Sequence, residues 1–348
     1  MRNRIRELGI TVGSFPTGKR NMITDVPGVQ VGNVTLKEDL PNEECIRTGV
    51  TAILPHTGNV FQDKVPAASF VLNGFGKTTG LIQVEELGVI ESPIMLTNTF
   101  NVGTVLQGTH NYILENNSDI GDQTGSLNVV VGECNDMYLN SVKKVPIREE
   151  HARKAITNAS SEVEEGAVGA GTGMMCYQYK GGVGTASRLV RDNYTIGVLV
   201  VSNFGRREEF EWGHYQPTKM NDEEVPDGSI MMVVATDAPV TDRQLKRIAK
   251  RAPVGLARTG SRVHHGSGDI VIAFTNGYTI PHNVKGEYQA KQVHIRDDSK
   301  IMNELFQGVA EATEEAILNS LTKAETTSGR KGRVLEGIPY DSFKAFTD

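Results

Sequence analysis

Most of the segments in this chain that read as strands are apolar at consecutive rather than alternate positions. They are VTAILPH (50–56), SFVLNG (69–74), SLNVVVGE (126–133), YTIGVLVVSN (194–203), SIMMVVAT (229–236) and DIVIAFT (269–275). Each is rich in β-branched residues and bounded by turn formers, the composition of a strand. A strand that is apolar on both sides must be covered on both faces, which excludes an open sheet with one wet side. Helical signals lie between and after these strands. TDRQLKRIAKRA opens with Thr241 and carries Gln244 three residues later, a capping-box spacing, and Pro253 should kink or end that helix. Ile301, Met302, Leu305, Phe306, Val309, Ala316, Ile317 and Leu321 mark one long amphipathic helix. TTGLIQVEELG (78–88) is a further candidate, and the polar tail after about Lys323 reads as irregular.

The 348 residues suffice for two ordinary domains or one large α/β domain. A net charge of −6, with no basic run, argues against a nucleic-acid partner. The first residues, MRNRIRELGITVGSFPTGK, lack the apolar core of a signal peptide, and the runs Ile196–Val201 and Ile230–Ala235 are too short to span a bilayer. Cys45, Cys134 and Cys176 are odd in number and widely spaced, which points to a reducing compartment with neither a disulfide frame nor a zinc site. The expectation is a cytoplasmic protein with no membrane, metal or cofactor requirement. Glycine, at 37 residues, is spread along the chain and signals many tight turns and close backbone approaches.

Two glycine-rich motifs fail on inspection. NGFGKTTG lacks the glycine that a phosphate loop needs at position 71, which is Val71. GAVGAGTG (166–173) puts Met174 where a dinucleotide loop needs its third glycine, so it reads as a backbone-rich turn. His264 and His265 are adjacent and point apart on any regular element, without a third ligand at usable spacing.

The composition breaks once, at GRREEFEWGHYQPTKMNDEEVPDG (205–228), a charged linker between two strands; long loops of this kind are functional or cleavable. It ends at Gly228, and Ser229 opens an unbroken apolar strand. Two readings stand side by side. In one, Ser229 simply bonds the loop from a strand end. In the other, a cut between Gly228 and Ser229 leaves Ser229 with a hydroxyl and a free α-amine that titrates near pH 7.7. Nucleophile and general base then share one residue. VHHGSGDIVIAFT repeats the layout, with Ser267 and Asp269 at the start of another buried strand. If the two strands are neighbours, these residues meet Ser229, and the pair could relay the amine's proton; otherwise Asp269 caps a turn.

At this point the chain resembles a known family: the L-aminopeptidase/D-Ala-esterase/amidases of the DmpA type and the related β-peptidyl aminopeptidases. The matching stretches are ITDVPGVQVGNVTL, RTGVTAILPH, GFGKTTGLIQVEELGVIESPIMLTNTFNVGTV, ECNDMYLN, GAVGAGTGM, VLVVSNFGRRE, DGSIMMVVATDAPV and RTGSRVHHGSGDIVIAF, covering roughly residues 20 to 320. The resemblance implies an αββα sandwich, Ntn-hydrolase-like with different strand connectivity. It implies self-cleavage between Gly228 and Ser229 into an α chain (1–228) and a β chain (229–348) that stay together as one structural domain. These heterodimers would assemble into homo-oligomers. By position, Ser229 matches the nucleophile, Asn203 the donor to the oxyanion, and Ser267 and Asp269 the pair that assists the nucleophile; members of the family also carry glutamate at the last of these, one methylene longer. Glu133 matches the carboxylate that receives the substrate's free amine, and Tyr138 lines the pocket. The implied activity is release of N-terminal residues from short peptides, amides or esters through an acyl-enzyme. The alternatives are an ornithine acetyltransferase-like acyl transfer, whose enzymes resemble this chain less and use threonine, and a non-enzymatic protein that binds a small ligand.

Overall fold

The computed structural model describes residues 2–191, 193–210, 228–284 and 291–346. Among these, nine principal strands form two sheets. The first contains β1 (Gln30–Asp39), β2 (Cys45–Leu54), β4 (Ile94–Asn98) and β5 (Val130–Cys134), in the order β1-β2-β4-β5. The second contains β3 (Asp63–Gly74), β6 (Gly182–Val190), β7 (Tyr194–Asn203), β8 (Ser229–Thr236) and β9 (Gly268–Thr275), in the order β3-β9-β8-β7-β6, with short pairings at its β3 edge. Within the second sheet only β8 and β9 run parallel; β7 is antiparallel to β8 and β3 to β9.

Alternate faces of each strand feed different cores. Met231, Val233 and Ala235 of β8 pack between the two sheets, with Ile94 and Leu96 of β4 from the opposite sheet. Ile230, Met232 and Val234 face the other way, onto α4 (Asp242–Ala249), α5 (Ala252–Arg258) and α6 (Lys300–Lys323). The far side of the first sheet is covered by α2 (Val102–Glu115) and α3 (Glu149–Thr157). The layers therefore run helix, sheet, sheet, helix, an αββα sandwich, and all eight residues of β8 are buried, as consecutive apolar positions require.

Local chemistry sets the element ends. Thr241 Oγ1 accepts from the Gln244 N–H at 3.2 Å while Gln244 Oε1 accepts from the Thr241 N–H at 2.9 Å, the expected capping box. Pro253 ends one helix and sits in the first turn of the next, where its missing N–H costs nothing. The short helix α1 (Leu81–Leu87) is bracketed by Gly80 and Gly88, both with positive φ.

Two expectations need correction. The helix α6 forms where the spacing predicts, but its middle is buried all round instead of showing a wet face. Its carboxylates are neutralised inside: Arg188 reaches Glu311 at 3.3 Å and Glu315 at 2.7 Å, and Arg6 reaches Glu315 at 2.7 Å. The C-terminal tail is not irregular. Thr327–Ser328 pairs with Val334–Leu335, and Ile338 and Phe343 are buried in the helix-side core, which pins the last turn. No helix among the described residues is long and apolar enough to cross a membrane. Of the charged linker, residues 211–227 lie outside the described residues; before them Arg207–Glu209 forms one 3-10 turn.

Candidate active site

Ser229 is the first residue of β8 and the linker's last residue, Gly228, lies directly before it. Its neighbours are set by register. Asn203, the last residue of β7, stands opposite Ser229 in the antiparallel pair, and Gly268, the first of β9, lies beside it in the parallel pair. Directly opposed residues point to the same face. That face is the inter-sheet one, shared with Val201 and Met231. The strands that sequence reasoning could only suppose to be neighbours are neighbours.

The hydroxyl of Ser229 donates to the carbonyl of its own preceding peptide, Gly228 O, at 2.5 Å. The same oxygen accepts the Gly268 N–H at 3.2 Å. A Cβ at Gly268 would stand 2.7 Å from Phe75 O and 3.2 Å from Ser229 Oγ, so only glycine leaves the hydroxyl room. Asn203 is buried and its amide is held from both ends: Oδ1 accepts the Met175 N–H at 2.8 Å, and Nδ2 donates to Asn135 O at 2.9 Å. Among the described residues Nδ2 makes no second hydrogen bond.

Ser267 and Asp269 flank Gly268. Ser267 Oγ donates to Asp269 Oδ1 at 2.7 Å, while Asp269 Oδ2 is buried with no hydrogen-bond partner among the described residues. Burial pushes the Asp269 pKa up to about 6, against the opposing pull of the Ser267 hydroxyl and the nearby charge of His264. By strand alternation Asp269 shares its face with Val271 and Ala273, the helix side, opposite the face of Ser229. What lies between the two faces is the backbone at the start of β8. The loop that carries Ser267 is tied down by Asn73, whose Nδ2 donates to the carbonyls of His264 (3.1 Å), His265 (3.0 Å) and Ser267. His264 Nε2 contacts Glu209 Oε1 at 2.6 Å, while the His265 ring lies toward Phe75, so the adjacent histidines do diverge. Among the described residues no group of three or more His, Cys, Asp or Glu side chains is arranged to hold a metal ion.

Glu133 reaches this place from the first sheet. It is buried on β5; Oε1 accepts the Lys77 N–H at 2.8 Å and Oε2 accepts the Thr99 hydroxyl. Gly76 measures how close it comes: a Cβ there would lie 3.4 Å from Glu133 Oε1 and 3.8 Å from the Cα of Gly268. The stretch Phe75–Lys77 is thus wedged between the carboxylate and Ser229. Asp136, three residues further on, is buried and bonded by the amides of Asn98 (3.1 Å) and Asn140 (3.0 Å). Burial holds its pKa at about 6. Tyr138 turns outward; it is exposed, with the Arg333 guanidinium 4.7 Å from its ring centre.

The structure therefore brings together Ser229, Asn203, Ser267, Asp269 and Glu133, and leaves Tyr138 exposed against Arg333. Gly268, Asn73 and the Phe75–Lys77 loop escaped sequence reasoning. Their parts are played by backbone groups or by absent side chains, and the only trace was the glycine preceding a strand and the phosphate-loop-like GFGKTTG.

Comparison with known proteins identifies the family. A beta-peptidyl aminopeptidase, BapA, from Sphingosinicella microcystinivorans is 38% identical over 370 residues, covering 98% of this chain and 91% of the relative. A protein of known crystal structure from Pyrococcus horikoshii OT3 superimposes with a TM-score of 0.89 at 47% identity, over 98% of this chain and 97% of that one. The L-aminopeptidase D-Ala-esterase/amidase from Ochrobactrum anthropi, described as a prototype for the serine aminopeptidases and a new variant among the Ntn hydrolase fold, does so with 0.86 at 33% identity, over 98% and 97%. The model of peptidase family S58 matches residues 21–335, so this chain, with a serine at the head of a central strand and a buried carboxylate beside it, belongs to that family.

Proposed function

We propose that this protein is a self-processing aminopeptidase and amidase whose nucleophile, Ser229, becomes an N-terminus by cleavage after Gly228. The observation that carries the reading is the register at the start of β8, where Ser229 lies between Asn203 and Gly268 with its hydroxyl turned back on the Gly228 carbonyl. In the uncut chain, Ser229 Oγ attacks that carbonyl carbon and the Gly268 N–H supports the oxygen. The Gly228–Ser229 amide becomes an ester, the freed nitrogen takes a proton, and water splits the ester. An α chain ending at Gly228 and a β chain beginning at Ser229 result, held together by the cores both share.

Turnover reuses the serine. The new α-amine, neutral in part near pH 7.7, takes the hydroxyl's proton as Oγ attacks the substrate carbonyl. Asn203 donates to the developing oxyanion, and the amine passes its proton to the leaving group before water releases the acyl group. Ser267 and Asp269 address the amine, a role supported by their standing on either side of Gly268, the strand neighbour of Ser229. Glu133 receives the substrate's ammonium group, a charge-assisted contact that fixes which bond reaches Ser229. Tyr138 borders the entrance.

The substrates are short peptides, amides or esters with a free amine. Membership of a peptidase family weighs against acyl transfer and against mere ligand binding. Free, buried Cys45, Cys134 and Cys176 support a cytoplasmic setting, and the exposed Val71, Ile82 and Leu87 near α1 support assembly of the heterodimers into an oligomer.

The activity is tested on amino-acid anilides with free and with acetylated amines. Wild-type protein cleaves the free-amine series. Glu133→Gln raises KM for that series by about ten- to a hundredfold, the 1.5–3 kcal/mol of a charged hydrogen bond, with a smaller change in kcat. Equal cleavage of acetylated substrates by the wild type would remove Glu133 from its role.

A further inference from the structure

The backbone-rich turn GAVGAGTG holds a buried lysine. Lys180 closes the small hairpin formed by Met175–Cys176 and Tyr179–Lys180 and is fully buried. Its Nζ donates to three backbone carbonyls, Gly171 O at 2.9 Å, Met174 O at 2.9 Å and Gly181 O at 2.6 Å. An ammonium has three N–H donors and no lone pair, so its protonated form fills all three; a neutral amine would turn its lone pair on one of them. Burial pushes the Lys180 pKa down, and among the described residues no carboxylate forms an ion pair with it. Three carbonyl dipoles converge on Nζ, the arrangement that favours its protonated form.

One of these carbonyls leads to the active site. The peptide joining Met174 to Met175 accepts from Lys180 at its oxygen and, through its nitrogen, donates to Asn203 Oδ1 at 2.8 Å. Asn203 in turn stands opposite Ser229 in the strand pair. A continuous path thus runs from the ammonium through two conjugated amides to the proposed oxyanion donor. A cation on the oxygen of an amide makes its N–H a stronger donor, and the effect passes along such a chain.

We infer that Lys180 is a positioning residue for the reaction: it fixes and polarises the Met174–Met175 peptide so that Asn203 presents a stronger N–H to the oxyanion. The inference rests on the oxyanion role of Asn203 proposed above. A lysine that merely tied the glycine turn to its hairpin would lower stability without touching kcat through Asn203.

The test is a double-mutant cycle of wild type, Lys180→Met, Asn203→Ala and the double variant, with kcat taken per processed chain and melting measured alongside. Asn203→Ala is expected to lower kcat by about 10²- to 10³-fold. Lys180→Met is expected to lower it about tenfold with KM held within about threefold, and to add nothing in the Asn203→Ala background. Lys180→Arg, which keeps the charge, recovers part of the loss. An unchanged kcat in Lys180→Met, or losses that multiply in the double variant, would overturn the inference and leave Asn203 in its role. An unchanged kcat in Asn203→Ala would remove that role and the inference with it. If Asn203→Ala blocks processing, normal processing of Lys180→Met overturns the inference. If Lys180→Met does not fold, Lys180→Gln replaces it; failure of both to fold assigns Lys180 to stability alone.

Discussion

Replacing Ser229 by alanine is expected to leave one uncut chain and to lower kcat/KM by about 10⁴- to 10⁶-fold, the loss seen when a nucleophile is removed from a site that acts as a unit. Both effects follow from one atom, because the same Oγ attacks Gly228 in the precursor and the substrate afterwards. The variant should fold. The hydroxyl's hydrogen bond is to Gly228 O, which keeps the Gly268 N–H, so its loss costs about 1 kcal/mol. A melting curve close to that of wild type, with no activity and no second chain, is the predicted signature. Ser229→Cys retains a nucleophile and should still process. Activity surviving in Ser229→Ala would move the chemistry to another residue.

Asp269→Asn is expected to slow self-cleavage and turnover by about 10²- to 10⁴-fold, the range of a positioned acid or base. The argument is the unpaired Oδ2: a buried carboxylate oxygen without a partner among the described residues costs the fold and is retained only if something else uses it. With its pKa held at about 6, the wild-type carboxyl loses its proton just below neutrality. Below the acid limb set by the α-amine near pH 7.7, activity should fall more steeply through pH 6, and that added steepness should vanish from the residual rate of the variant. Stability moves the other way. A folded-state pKa raised above the unfolded value contributes stability that is present at low pH and lost as pH rises through the folded value. A shift of about two units corresponds to about 3 kcal/mol. Wild type should therefore lose roughly that much relative to Asp269→Asn between pH 4 and pH 8, read from denaturant midpoints. A variant with full activity and a flat difference would make Asp269 a turn cap and nothing more.

What the sequence disclosed and what it hid follow from one physical difference. Strands β7 and β8 span the predicted segments 194–203 and 229–236, because an apolar run buried on both faces marks the body of a strand and the polar residues beside it mark the ends. The strand β6 was missed for the opposite reason. Gly182–Val190 carries Thr185, Ser187 and Arg188, all buried, and what makes burial tolerable is supplied by Glu311 and Glu315 more than a hundred residues later. The strand β1 was missed because its second half is an exposed edge with polar residues. Ser229, Ser267 and Asp269 could be picked out since each stands at the start of an unbroken apolar run, whereas Asn203 came from the resemblance alone. Glu133 was found by resemblance, and nothing in its own neighbourhood of sequence announced Lys77 or Thr99 as its partners. Lys180 and Asn73 act on backbone carbonyls, which every residue has, so their roles leave no spacing to read.

The most direct test of the whole account is the mass of the purified wild-type protein under denaturing conditions. The account predicts two chains whose masses sum to the encoded chain plus one water, the smaller beginning at Ser229. A single intact chain in a preparation that hydrolyses amino-acid amides would contradict it, because the amine proposed as general base would not exist.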